Sequence, residues 1–177
     1  MSAKATLNAR IYEALTLQAR YNEAYLVFGK TSPWVDDKHP PEEVEDTAEI
    51  TEIIGYKKIR QFSLARPLAQ GENPNSVTYP KVTYGGKTWL LIPRDKAYVE
   101  KAHWLYMDAE IQPDEFPLGM YRQVGIQMGV KAKSGVSKTN LLPSEVQDKG
   151  TLYFFENREP QNRTVSVYVV EQFIATI

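Results

Sequence analysis

The sequence of 177 residues contains no cysteine, which excludes disulfides, thiolate metal sites and cysteine nucleophiles together. Such a composition suits a reducing compartment or a cysteine-free assembly. Histidine is almost as scarce, since the chain has only His39 and His103, far apart in sequence. Neither lies beside other potential ligands in a metal-binding pattern, because Asp36 and Asp37 supply too few oxygens for a cation. The sequence therefore predicts no metal site.

Strong net charge and long apolar runs are missing as well. The formal net charge is -1, which creates no overall field to attract nucleic acid or an anionic membrane. No apolar run approaches the roughly 20 residues that a membrane helix needs. Residues 1–6 lack the apolar core of a signal peptide. We therefore expect no nucleic-acid partner, no membrane partner and no Sec export.

Nucleotide-binding and hydrolase motifs are also absent. The triplets at 29–31 and 86–88 (Gly-Lys-Thr) resemble the end of a phosphate-binding loop, but the earlier glycine of that motif is replaced by Ala24 and Lys81. Gly-x-Gly-x-x-Gly and Gly-x-Ser-x-Gly do not occur. The sequence predicts no cofactor and no catalytic residues. A hydrolase that relies on carboxylates alone, as glycosidases do, stays open as a minor alternative.

One stretch of the chain is distinctive. An apolar run from Tyr25 to Phe28 predicts a strand, and a loop follows from Gly29 to Pro41. This loop holds three prolines, a tryptophan and two adjacent aspartates. Each proline fixes its own φ and biases the preceding residue toward extended backbone. We interpret the loop as a rigid docking surface that loses little entropy on binding.

Trp34 lies in this loop, outside any periodic apolar face. It is either an anchor for a partner's pocket or a side chain folded back on its own domain, and the pattern leaves both open. The loop residues that we predict at an interface are Pro33, Trp34, Asp36, Asp37, Pro40 and Pro41.

Periodicity predicts one amphipathic helix, from Thr6 to about Arg20, and then mostly strands. Glycines 85 and 86 between two β-rich runs predict a tight hairpin. The acid-rich segment 42–52 is interpreted as a solvated face that begins with a short helix. Further strands are predicted at 60–66, 87–92, 103–111, 121–130, 150–155 and 163–173, with a loop at 156–162.

The resulting fold class is α+β and β-rich, with an antiparallel β-sandwich-like core, an N-terminal helix and long loops. We expect a single domain over 1–177. The loop content between 31 and 75 is also compatible with a loop-rich subdomain or extension.

Two parts of the sequence resemble a known family. The first is Tyr25–Trp34 with the downstream pairs Asp36-Asp37 and Pro40-Pro41. The second begins at Tyr121 and runs through Gly150–Pro160 to a final strand. Both are similar to structural proteins of contractile-tailed bacteriophages, in particular the baseplate wedge component that forms a dimer and joins neighbouring wedge proteins. The middle of the chain shares only general β character with that family.

The resemblance implies a non-enzymatic structural protein of the virion tail baseplate, synthesised in the host cytoplasm. Its expected partners are other baseplate wedge proteins and further copies of itself, as a homodimer or higher oligomer. Arg158 joins the candidate interface residues on this basis, and a structural role within the domain is equally open. The alternative from another class is a β-sandwich module that binds carbohydrate or another ligand through exposed aromatics.

Overall fold

The computed structural model describes residues 3–177. Within this range the chain forms two compact units. Unit 1 comprises the described residues up to Tyr21, together with Gln61–Asp108 and Gln172–Ile177. Unit 2 comprises Asn22–Arg60 and Ala109–Glu171. The single domain and the loop-rich extension stay predictions.

The described residues contain one α-helix and twelve strands. The helix is α1 (Leu7–Ala19). The strands are β1 (Ala24–Gly29), β2 (Gly55–Lys58), β3 (Gln61–Pro67), β4 (Lys81–Tyr84), β5 (Lys87–Ile92), β6 (Trp104–Ile111), β7 (Gly119–Met128), β8 (Lys131–Ala132), β9 (Asn140–Leu141), β10 (Val146–Asp148), β11 (Thr151–Arg163) and β12 (Val169–Thr176).

The predicted N-terminal helix is confirmed. Thr6 caps α1, because its Oγ1 accepts a hydrogen bond of 3.2 Å from the amide of Ala9. Ile11 and Ala14 are fully buried, three residues apart on one face of the helix. The helix packs against β3 within unit 1.

Unit 1 is built on a five-stranded sheet in the order β12-β6-β3-β5-β4. The predicted glycine hairpin joins β4 to β5, with Tyr84 opposite Lys87. Gly85 and Gly86 have φ of 57° and 71°, the left-handed conformation that a primed turn requires. β4 is an edge strand and begins directly after Pro80, as expected for a residue that lacks an amide proton.

Unit 2 contains a second five-stranded sheet, in the order β11-β7-β1-β2-β9. β1 pairs antiparallel with β7 on one side and with β2 on the other, and all six of its residues are buried. Gly125 in β7 allows β11 to approach closely, since a Cβ there would lie 2.8 Å from the carbonyl oxygen of Phe154. The central position of β1 fixes the start of the loop that follows it.

The predicted class is confirmed, as a β-rich α+β fold with an antiparallel, β-sandwich-like core and long loops. Three local predictions are wrong. The acid-rich segment 42–52 forms no helix. Contacts with the sheet hold it in irregular structure, including a hydrogen bond from the amide of Thr51 to Gln123 Oε1.

The other two errors concern the C-terminal strands. The predicted loop 156–162 lies inside β11, where the register against β7 shifts between Asn157 and Gln161. Pro160 lies in this irregularity of an edge strand, where its missing amide proton breaks no ladder bond. The predicted strand 163–173 is interrupted by a turn at 164–168, and Val165 and Tyr168 there are 74% and 58% exposed. A high β-propensity gives a strand only where a partner strand covers it.

Candidate docking site

The loop after β1, residues 30–41, is named the proline loop here. Its exit from the sheet is fixed by backbone contacts. A Cβ at Gly29 would lie 2.5 Å from the carbonyl oxygen of Thr51, so only glycine fits there. Lys30 then adopts a left-handed φ of 58° and donates its amide to the same oxygen at 2.7 Å. The first residue of the loop is therefore held in one conformation.

Glu52 closes the base of the proline loop. Its carboxylate accepts hydrogen bonds from Ser32 Oγ at 2.7 Å, from the Ser32 amide at 3.2 Å and from Thr31 Oγ1 at 3.2 Å. The hydrogen bonds from Ser32 lower the pKa of Glu52 below its ordinary value. The carboxylate is therefore ionised at neutral pH and bridges the loop to the segment that precedes β2.

Arg122 of β7 holds the middle of the loop. Its Nε and Nη2 donate to the two carboxylate oxygens of Asp37 at 2.7 and 2.8 Å, and its Nη1 donates to the carbonyl oxygen of Thr31 at 2.6 Å. The side chain of Arg122 is only 6% exposed, so this bidentate pair is well shielded on one side. The hydrogen bond from Arg122 lowers the pKa of Asp37.

Trp34 folds back on its own chain. Its indole N–H donates to the carbonyl oxygen of Arg158 at 2.9 Å, and Lys30 Nζ lies 5.1 Å from the ring centroid. The amide of Trp34 also donates to Asp37 Oδ1 at 2.8 Å. The ring is half-buried, and of the two alternatives left by the sequence the structure has the folded-back one.

Asn157 of β11 anchors the far end of the loop. Its side-chain amide donates to the carbonyl oxygen of Pro41, and its backbone amide donates to Glu43 Oε1, both at 2.9 Å. Gln123 in turn donates to Asn157 Oδ1 at 2.9 Å. The proline loop is thus bound to unit 2 at its base, its middle and its end.

What the fixed loop presents outward is Val35, whose side chain is fully exposed. Pro33, Asp36 and Pro41 are exposed around it, while Asp37 and Pro40 are half-buried. Asp36 binds His39, with 2.9 Å between Oδ2 and Nδ1, and this hydrogen bond lowers the pKa of Asp36. The site is therefore a loop held by internal contacts that exposes Val35 fully, with Pro33 and Pro41 exposed near it in sequence.

Arg158 is engaged within unit 2. Its Nε and Nη2 lie 2.8 Å from Glu156 Oε2, and its Nη1 binds Glu171. Glu171 is 4% exposed and also accepts a hydrogen bond from the hydroxyl of Tyr121. Burial raises the pKa of that hydroxyl, which stays protonated and donates. The structure therefore gives the Arg158 side chain an internal role, and its predicted interface role stays untested.

Sequence reasoning missed Val35, Arg122 and Asn157. Val35 lies between Trp34 and Asp36, and a single valine in such a position carries no signal that its side chain is exposed. Arg122 and Asn157 carry no local signal, because their loop partners are 85 and 116 residues away in sequence.

Neither a metal site nor a membrane helix appears in residues 3–177. No group of three or more His, Asp or Glu side chains in this range is arranged to hold a metal ion. No helix in the same range is both long and apolar enough to span a bilayer.

We expect Asp37→Asn to loosen the proline loop. The neutral amide cannot form the charge-assisted bidentate pair with Arg122, so amide hydrogen exchange at 30–41 should accelerate about tenfold. Exchange measured by mass spectrometry checks this, with Asp46→Asn in the exposed neighbouring segment as the control. Equal protection in Asp37→Asn and wild type would contradict the role given to the pair.

The same pair should respond to acid. Because the folded pKa of Asp37 lies below its ordinary value of 3.8, the carboxylate stabilises the loop above that pH. The contribution is lost as the pH falls through the lowered folded pKa. Loop exchange, corrected for the intrinsic pH dependence, should therefore rise below about pH 3.8 in wild type and change less in Asp37→Asn.

Comparison with known proteins identifies relatives of the whole chain. A family model described as "Baseplate wedge 3 tail fiber network component" matches residues 2–177. A relative, "Virion protein 3" of Enterococcus phage phiEF24C, is 43% identical over 175 residues. The match covers 99% of this chain and 95% of that protein.

Proposed function

Because this chain belongs to the family of baseplate wedge 3 tail fiber network components, we propose that it joins neighbouring proteins of a phage tail baseplate through the proline loop. The family membership makes it a structural component of the bacteriophage virion, as the sequence resemblance predicted. The contacts between this protein and its neighbours are the part that we propose.

The observation that carries the proposal is the fully exposed Val35 on a loop that is fixed at three places. Docking a segment that is already ordered costs little conformational entropy. Removing an apolar side chain from water is favourable by about 25 cal/mol for each Å² of apolar surface that the partner covers. An ordered loop with a fully exposed valine is therefore suited to bind in a pocket of a partner protein.

The surroundings of Val35 fit the usual composition of an interface. Pro33 and Pro41 add rigid apolar surface, and Asp36 and His39 supply a polar rim. Trp34 contributes to the loop's structure rather than to its exposed surface, because its indole N–H donates to the carbonyl oxygen of Arg158. We place Val35 at the centre of the contact and Pro33, Asp36 and Pro41 around it.

We propose further that the protein acts without catalysis. The main charged groups of the site are engaged in ion pairs that shape the loop, as in the Arg122–Asp37 and Arg158–Glu171 pairs. The partners proposed are other wedge proteins and further copies of this chain. Synthesis in the host cytoplasm belongs to the same proposal. So does the lack of nucleic-acid and membrane partners, which the near-zero net charge supports.

Val35→Asp tests the docking role. A charge cannot enter an apolar pocket without a large desolvation cost, whereas the exposed position leaves the isolated fold undisturbed. We expect the variant to melt at the wild-type temperature but to be missing from purified particles when it is the only copy supplied. Quantitative mass spectrometry of those particles measures its amount.

The matched control is Val99→Asp, which places the same charge on a 77% exposed valine of unit 1. This variant should enter particles at the wild-type level. Wild-type amounts of Val35→Asp in particles would overturn the proposed function. Equal loss of Val35→Asp and Val99→Asp would show that the effect is not specific to the proline loop.

A further inference from the structure

Unit 2 exposes a second set of apolar side chains, around the end of β11. Each of them is between 38% and 74% exposed, and the set, named the C-terminal patch here, comprises Leu118, Met120, Val165, Val167, Tyr168 and Val170. None of these residues belongs to the proline loop. Soluble proteins rarely leave several large apolar side chains in water at one place, and such a patch is typical of an interaction surface.

Buried Arg163 holds the two parts of the patch together. The residue is 3% exposed, and its guanidinium donates to three carbonyl oxygens, at 3.0, 3.3 and 2.9 Å, which are those of Gln112, Phe116 and Pro117. Arg163 also pairs with Gly119 at the end of the β11–β7 ladder. Leu118, between these contacts, is therefore fixed beside the turn at 164–168.

We infer that the C-terminal patch binds an extended strand of a different protein of the particle, which adds to residues 164–168 by β-pairing. The inference goes beyond the proposed function, because it concerns other residues of unit 2 and a different kind of contact. Three observations support a strand as the occupant.

The first observation is the composition of the segment. Residues 164–170 include four valines and a tyrosine, and they contain no charge, glycine or proline. β-branched and aromatic residues favour strands. Within residues 3–177, however, no strand pairs with 164–168, and the segment forms a turn. A strand from another protein would supply the partner that this composition requires.

The second observation is an open edge next to the turn. β12 begins at Val169, directly after the turn, and is the edge strand of its sheet. One side of β12 therefore has no strand beside it in the described part of the chain. An open edge offers backbone donors and acceptors to an incoming strand, which is the basis of β-strand addition.

The third observation concerns charge. The charged residues that bracket the segment are Arg163 and Glu171, and both are buried and bound within unit 2. The patch thus offers no free charge to a partner. A charged side chain that docked there would lose its hydration without gaining a counter-ion. The incoming strand must therefore carry apolar side chains at alternate positions, on the face that covers the patch.

Hydrogen exchange, measured by mass spectrometry, tests the inference on the purified protein and on intact tails. In the purified protein the amides of 164–168 should exchange rapidly at every protein concentration. In intact tails the peptide that contains them should exchange about a hundredfold more slowly, because amides in a strand ladder are protected. Rapid exchange of this peptide in intact tails would overturn the inference.

Two further results would also overturn it. Protection that appears in the purified protein and grows with concentration would identify the occupant as a second copy of this chain. In the variant Val167→Cys, a thiol shielded from maleimide in intact tails without protection of the amides would show that the occupant is not a paired strand.

Val167→Asp tests the patch by substitution. Residue 167 is 56% exposed and lies outside the strands, so the isolated variant should melt at the wild-type temperature. We expect it in particles at less than about a tenth of the wild-type amount, because the added charge cannot be covered by an apolar strand. Val167→Ile keeps an apolar, β-branched side chain and should enter normally, as should Val99→Asp on unit 1. Wild-type entry of Val167→Asp would contradict the inference.

The outcomes separate this inference from the proposed function. If 164–168 are protected in tails while Val35→Asp enters particles normally, the strand contact stands and the docking role of the proline loop is wrong. If Val35→Asp is lost from particles while 164–168 exchange rapidly in tails, the proline loop docks as proposed and the strand contact is wrong.

Discussion

Replacing Arg158 with methionine is expected to lower the free energy of unfolding by about 4 kcal/mol, because it leaves Glu171 with a buried charge and no cation beside it. Glu171 is 4% exposed, and the guanidinium of Arg158 is the cation that binds it. Methionine retains most of the apolar stem of arginine, so the loss comes mainly from the charge. Urea denaturation measures the change.

A second substitution in the same pair serves as the control. In Arg158→Met/Glu171→Gln the buried charge is removed, while the amide oxygen of glutamine still accepts the hydrogen bond from Tyr121. The double variant should therefore recover more than half of the loss. If Arg158→Met costs less than about 1 kcal/mol, the pair behaves like a surface ion pair and this account of Arg158 is wrong.

Gly150→Ala should be comparably damaging, at about 3 kcal/mol or more. Gly150 has a left-handed φ of 68°, and a Cβ there would lie 2.0 Å from the carbonyl oxygen of Met128. That oxygen is backbone, so the overlap is relieved only by moving the peptide. Since Thr151 pairs with Met128 at the start of β11, the movement disrupts the pairing of β11 with β7.

Gly135→Ala provides a matched control for the backbone term. Gly135 also has a left-handed φ, 83°, but a Cβ there meets nothing within 4 Å. Its replacement should cost only the conformational term, about 1–2 kcal/mol. Equal destabilisation of the two variants in urea would show that the overlap at Gly150 is unimportant.

Much of the fold could be predicted because its signals are local. The apolar spacing that marks α1 needs only one turn of sequence, and the two glycines of the β4–β5 hairpin need only their own φ preference. The uninterrupted apolar run of β1 likewise predicts a strand, and the structure buries all six of its residues. The family resemblance rested on this same stretch and on β11, and family membership is confirmed.

The predicted limits of the C-terminal strands were wrong because those limits depend on pairing with neighbouring strands. Residues 156–162 contain a proline and several polar side chains, which is the composition of a loop. Pairing with β7 on both sides of the register shift keeps them in β11. Residues 164–168 have strand composition but form a turn. Composition alone does not decide either case.

The proline loop follows β1 as the sequence predicted, but the contacts that hold it were not predictable, and its interface role stays a prediction. For Trp34 the sequence left two orientations open. Its orientation is decided by the carbonyl oxygen of Arg158, 124 residues later in the chain. With that ring turned inward, Val35 is the fully exposed apolar side chain of the loop, and the sequence around a single valine does not predict its exposure.

The reactivity of residue 35 in assembled particles tests the central claim most directly. Val35→Cys places one thiol on the cysteine-free chain and preserves a small apolar side chain. Since residue 35 is fully exposed in the isolated fold, only a neighbouring molecule can shield it. We predict that a maleimide labels this thiol slowly in intact tails and completely after the particles are denatured. Labelling in intact tails as fast as in the denatured chain would contradict the account.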